Sequence, residues 1–137
     1  MDGEKIITSA RRHLGTPFIH QARVERVGVD CIGLLVLVAK ELGIPIVDHK
    51  RYKRRPDPAL FMEKMRLNLD PVPLVEAAIG DMLVFWYQKR GVPQHLAFKT
   101  DIGIIHTYAE AGRVVETAMD KKWQVRLLSA WRFRGIE

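Results

Sequence analysis

Residues 28–42 read Gly28-Val29-Asp30-Cys31-Ile32-Gly33-Leu34-Leu35-Val36-Leu37-Val38-Ala39-Lys40-Glu41-Leu42, and they hold the only cysteine of the chain. The apolar run behind Cys31 has the length and spacing of a buried helix, and Gly43 and Pro45 stop it. Asp30 is placed to cap that helix by accepting from an amide of its first turn. Cys31 then falls in the first turn, where unpaired N–H groups and the positive end of the helix dipole favour a thiolate and a lowered pKa. Gly33 leaves the helix surface bare beside the thiol, so another backbone or a substrate can approach closely. A lone thiol makes neither an internal disulfide nor a cysteine-rich metal site. It is a small buried hydrophobe or a nucleophile, and the second role needs a base.

Upstream of this stretch, Ile6, Ile7, Ala10 and Leu14 give a helix over 3–14, stopped by Gly15-Thr16-Pro17, and a loop follows over 16–29. Downstream, 44–57 reads as loop and a third helix runs from Pro58 to about Leu69. Pro71 and Pro73 break the chain before a short helical turn near 74–78. The pattern then changes. Met82-Leu83-Val84-Phe85-Trp86-Tyr87, His95-Leu96-Ala97-Phe98, Ile102-Gly103-Ile104-Ile105-His106, Arg113-Val114-Val115-Glu116-Thr117 and Trp131-Arg132-Phe133-Arg134 are β-branched and aromatic runs between turn signals. Helices first and strands after define an α+β fold. At 137 residues the chain is read as one domain over 1–137.

His95 opens one predicted strand and His106 ends the next. If the hairpin turns at Thr100-Asp101 or over 99–102, the two lie directly opposite, with Cβ atoms roughly 5 Å apart. If the turn centres on Asp101 they are diagonal neighbours. In both registers two imidazoles meet on one face, one as base and the other holding its tautomer. Among the remaining histidines, His13 and His49 are expected to face solvent, and His20 sits in the loop before Cys31, where it can line a cleft.

The 47% hydrophobic and 28% charged residues are ordinary for a globular protein. No apolar stretch reaches membrane-spanning length, and no secretory signal is visible at Met1–Lys5, so the protein is expected to start in a cytoplasm or to reach its site of action as part of something larger. The net charge is +6, with five basic residues among Lys50–Arg55. That block is a solvated loop or a contact to a polyanion, whether cell-wall polymer, membrane surface or nucleic acid; without a helix-turn-helix or similar motif, nucleic acid is the weakest of the three and no nucleic-acid partner is expected. Neither H-E-x-x-H nor paired C-x-x-C occurs, nor a glycine-rich phosphate loop, nor G-x-S-x-G, so no metal or organic cofactor is expected. Trp86, Trp123 and Trp131 are core residues or a shelf for saccharide or peptide.

Taken together, Gly15-Thr16-Pro17-Phe18, His20-Gln21-Ala22, Asp30-Cys31-Ile32-Gly33-Leu34, Gly80-Asp81-Met82-Leu83-Val84-Phe85, His95-Leu96-Ala97 and Ile105-His106-Thr107-Tyr108 resemble the NlpC-type cell-wall cysteine peptidases, in order, over about residues 5–135. The branch that they resemble is the phage cell-wall peptidases of tail assembly. The resemblance implies a papain-like fold, with N-terminal helices packed on a central antiparallel sheet. It implies hydrolysis of peptide bonds in peptidoglycan stem peptides, with phage tail proteins as partners. Residue by residue it makes Cys31 the nucleophile, His95 the general base and His106 the third member that orients His95, with the Cys31 amide in the oxyanion hole. Two positions depart from the family. Phe18 stands where a tyrosine hydroxyl is usual, and Ile32 stands where many relatives have serine. Two other readings remain: a non-catalytic structural or wall-binding module of the same fold, and a papain-like amidase or acyltransferase acting on another substrate.

Overall fold

The computed structural model describes residues 3–48 and 57–135. Helix α1 (Gly3–Arg11) leads into a two-stranded hairpin, β1 (Arg23–Val24) and β2 (Gly28–Val29), then α2 (Cys31–Glu41) and α3 (Pro58–Asn68). Strands β3 (Leu69–Val72), β4 (Met82–Trp86), β5 (Pro93–Lys99), β6 (Ile104–His106), β7 (Val115–Thr117) and β8 (Leu127–Phe133) follow, with a one-turn helix α4 (Lys121–Gln124) before β8. The strands form one antiparallel sheet in the order β3-β8-β4-β5-β6-β7. This is the expected α+β architecture.

Strand alternation divides the interior in two. Met82, Val84, Leu96, Phe98 and Ile105 pack with Ile6, Leu34, Leu35, Val38, Phe61 and Met65 of the helices. Leu83, Phe85, Ala97 and Ile104 point to the other face, against Trp123. His95 and His106 have the parity of this second face. Asp81 anchors the start of β4: its carboxylate accepts from Arg132 Nε and Nη2 at 2.7 and 2.8 Å and from the Ala78 amide at 2.8 Å. The Gly80-Asp81 turn is therefore a tie between β4 and β8.

Several boundaries differ from those read in the sequence. Helix α1 ends at Arg11, three residues early, because 12–15 close as tight turns. Leu69–Val72, expected to be a helix end and a break, pairs with β8 as an edge strand, a place where proline's missing N–H costs nothing. The hairpin β1–β2 lies within the expected loop. The turn near Leu74 is a 3₁₀ helix over Leu74–Glu76. Strand β8 begins at Leu127, four residues before the expected Trp131. Helix α4 had no expectation; Asp120 caps it. His13, expected in solvent, is fully buried, with Nε2 2.8 Å from Glu41 Oε1. The cause is the early end of α1, which folds His13 back toward the end of α2. His49 and the basic run Lys50–Arg55 lie outside the described residues.

Candidate active site

Cys31 is the first residue of α2, and Asp30 caps the helix as expected. Asp30 Oδ1 accepts from the Gly33 amide at 2.7 Å, and Oδ2 accepts from the Gln21 amide at 2.8 Å. The buried Arg23 guanidinium stands 3.5 Å from Asp30 Oδ1 and pairs through Nε with both Asp48 oxygens at 3.0 and 2.9 Å. One carboxylate thus fixes both the helix start and the loop in front of it. Gly33 is needed for that approach, since a Cβ there would lie 2.1 Å from the Ala22 carbonyl oxygen. Gln21 takes a left-handed φ of 64° in the same loop.

The sulfur of Cys31 lies against strand β5. The amides of Leu96, Ile32 and Cys31 itself hydrogen-bond toward it and favour the thiolate. These donors do not prevail. Although the residue is only half-buried, its sulfur is enclosed, and burial, aided by the Asp30 charge, pushes the thiol pKa up to about 12. The expectation of a lowered thiol pKa is therefore corrected: in the resting protein desolvation outweighs the helix terminus. Leu96 adjoins His95 in the chain, so β5 carries both a donor to the sulfur and, on the neighbouring residue, an imidazole.

His95 and His106 meet through His95 Nε2 and His106 Nδ1, 2.8 Å apart and buried. Of the two expected arrangements the diagonal one is realised, with the turn centred just beyond Asp101. Strands β5 and β6 pair Phe98 with Ile105 and Lys99 with Ile104, which continues to Ala97 opposite His106. The histidines are diagonal neighbours, because the turn spans Thr100–Gly103. There the Thr100 hydroxyl accepts from the amides of Ile102 and Gly103 at 3.2 and 2.9 Å. His106 Nε2 lies 3.3 Å from Thr117 Oγ1 on β7. With Nε2 of His95 engaged by His106, Nδ1 is the nitrogen left for a substrate or thiol.

An aromatic wall surrounds the pair. Trp123 packs edge-on to His106 at 4.8 Å between ring centroids and tilts over His95 at 5.3 Å. Phe85 and Tyr108 lie 5.9 and 5.7 Å from His95, and Tyr87 stacks on Trp123 at 6.2 Å. Burial holds the His95 pKa well below its usual value, with His106 adding to the effect, and brings His106 down to about 4, helped by the Lys122 ammonium. Both imidazoles are neutral at pH 7. Sequence reasoning missed the wall's role: Trp123 was one tryptophan among three, and only the Asp120-capped turn of α4 sets it on the histidines. Trp131 belongs to the helix-side core, and Trp86 stacks with Arg126 at 4.5 Å. Phe18 is half-buried and bridged to Val29, and His20 is half-buried in the same loop.

Helices packed on a six-stranded antiparallel sheet make this an α+β fold of the papain-like kind found in NlpC/P60 structures. Solved structures that share it include an NlpC/P60 family protein from Bacillus cereus, with a TM-score of 0.73 and 24% identity over 97% of this chain and 40% of that one. The NlpC/p60 domain of the peptidoglycan hydrolase SagA aligns with a TM-score of 0.70 and 19% identity, covering 97% of this chain and all of that domain. The peptidoglycan hydrolase RipB from Mycobacterium tuberculosis gives 0.63 and 21%, covering 95% of this chain and 63% of that one. The chain thus spans 40% of the Bacillus cereus protein and the whole of the SagA domain. No family model matches the sequence, and no curated protein matches it.

Proposed function

We propose that the chain is a cysteine peptidase that hydrolyses peptide bonds in peptidoglycan stem peptides, with Cys31 as nucleophile, His95 as general base and His106 as the residue that orients it. One observation carries the reading: the Cys31 sulfur meets the Leu96 amide, next in chain to a histidine whose far nitrogen is held 2.8 Å from a second histidine. The fold shared with two peptidoglycan hydrolases supports the substrate class.

The resting site pairs a neutral thiol with a neutral imidazole. Proton transfer from sulfur to His95 therefore accompanies attack on the scissile carbonyl. The tetrahedral oxyanion forms near the first-turn amides of α2, which supply preorganised donors. The imidazolium on His95 shares its charge with His106 and protonates the leaving amine. In its neutral form His95 then activates the water that hydrolyses the thioester. The side chains act without a metal or organic cofactor in any step.

Zymography on murein with wild type and Cys31→Ala tests this reading. Clearing by wild type alone supports it. Clearing by neither, with wall binding retained, favours the non-catalytic module, and turnover of other amides or thioesters without clearing favours the transferase reading. The phage-tail association and particle-borne delivery from a bacterial cytoplasm rest on the motif resemblance. Detection of the chain in purified tails tests them.

A further inference from the structure

We propose a divalent transition-metal site, suited to Zn²⁺, formed by His13, Glu25 and Glu41 on the side of α2 away from Cys31. The three residues come from the turn after α1, the tip of the β1–β2 hairpin and the last residue of α2. Each offers one ligand atom, and all three atoms lie within 4.8 Å of one another. Tetrahedral zinc with bonds of about 2.0–2.2 Å spaces its ligand atoms roughly 3.3–3.5 Å apart. Closing the set takes a small inward movement of the exposed Glu25 and a slight widening of the 2.8 Å His13–Glu41 separation.

The second observation is the state of His13. Its side chain is fully buried, and neither ring nitrogen makes an aligned hydrogen bond. Glu41 Oε1 is 2.8 Å from Nε2, close enough for an ion pair, yet the ring N–H direction misses it. The nitrogen thus sits close to the carboxylate with no hydrogen bond to hold it there. Glu41 Oε2 accepts from the Ser9 hydroxyl and faces Arg12 at 3.6 Å, leaving Oε1 on the His13 side. A buried imidazole with unaligned nitrogens is costly unless something fills the direction in which it points. A neutral imidazole with two carboxylates balances a dication and selects zinc over magnesium. The bound ion would fasten the hairpin, whose base is at Arg23 beside Asp30, to the ends of α1 and α2. It would stiffen the support of the nucleophile from a distance. Sequence spacing does not reveal such a site, because its ligands are 12 and 16 positions apart in the chain and on three elements.

The test titrates Zn²⁺ alone into the chelator-treated full chain, following heat of binding and melting temperature. Cys31→Ala and His95→Ala chains run in parallel, since Cys31, His95 and His106 can themselves hold zinc. The expected result is one equivalent bound at micromolar or tighter affinity in all three chains. Glu25→Gln, an exposed change that leaves folding intact, weakens it at least tenfold, and Mg²⁺ does not compete. A rise in melting temperature of about 9 °C at a hundredfold excess over Kd accompanies binding. Absence of binding, binding abolished by His95→Ala or Cys31→Ala, or an affinity unchanged in Glu25→Gln overturns the proposal. His13→Gln is a supporting variant, read only where its melting curve without metal matches wild type.

Discussion

His95 Nε2 and His106 Nδ1 are 2.8 Å apart in a dry setting, so one carries the hydrogen and the other accepts it. The Thr117 hydroxyl on His106 Nε2 sets which. If Thr117 donates, Nε2 of His106 is bare, Nδ1–H donates to His95 Nε2, and the hydrogen of His95 falls on Nδ1. If Thr117 accepts, the order reverses, and His95 presents a bare Nδ1 ready to take the thiol proton. The second arrangement is the one that a general base requires. His106→Ala is expected to lower kcat by about 10²–10⁴ with a small change in KM, as for loss of an orienting partner. The double variant His95→Ala/His106→Ala should be no worse than His95→Ala alone, because the two act as a unit. Additive losses in steady-state assays would show independent roles.

Acid should loosen this protein through the same pair. His106 titrates near 4 when folded and near 6.5 when unfolded, and His95 shifts in the same direction. Between those values the unfolded chain binds more protons. The stability that neutral burial confers is therefore complete above pH 6.5 and is lost as pH falls toward 4, at about 1.4 kcal/mol per pH unit for each proton taken up. Urea midpoints at pH 7 and pH 5 measure this. His106→Gln, which cannot titrate, should show a shallower fall than wild type across that window, and equal slopes would place the acid sensitivity elsewhere.

The thiol should be quiet in the free protein. Burial pushes Cys31 to about 12, so the thiolate is scarce at neutral pH and appears only when a proton acceptor and an electrophile are both at hand. Alkylation by iodoacetamide is expected to be slow at pH 7 and to climb beyond pH 10 without a plateau. A plateau beginning near pH 6 would mean a standing thiolate–imidazolium pair and would remove the neutral resting state from the mechanism.

Much of this site was legible because it is written in local chemistry. The Asp30 cap, the first-turn position of Cys31 and the close approach at Gly33 follow from residue types within four positions. That His95 and His106 share a face follows from strand parity. The register did not follow, because it depends on the Thr100 hydroxyl gathering two amides and moving the turn by one residue. The state of the thiol was misread because dipole and cap are local, whereas enclosure of the sulfur comes from β5, 65 residues away. His13 was misplaced for a related reason: a polar residue at a helix end looks solvent-facing until the chain folds back.

Gly33→Ala tests the support of the nucleophile. The new methyl would lie 2.1 Å from the Ala22 carbonyl and 3.2 Å from Asp30 Oδ1, and backbone must yield. A loss of about 1–3 kcal/mol is expected in chemical denaturation, in line with overpacking. Activity should fall more than the fraction unfolded accounts for, because the displaced loop carries the Gln21 amide that holds Asp30. Wild-type stability would show that the loop moves freely and that the glycine has no packing role.

Phe18→Tyr addresses the departure that bears most on turnover. Phe18 is half-buried, fixed by its amide to the Gly112 carbonyl at 2.9 Å and bridged to Val29, two residues before Cys31. The backbone there is held, and a hydroxyl added at the ring's end extends from a fixed base. The family resemblance implies a tyrosine here whose hydroxyl assists at the oxyanion or the substrate, and loss of an essential oxyanion donor costs about 10²–10³ in rate. Restoring it should raise kcat on muropeptides by about tenfold or more, with the melting temperature nearly unchanged. If kcat stays level while the fold is intact, the amides of the first turn already satisfy the oxyanion, and Phe18 serves only to pack the loop against β2.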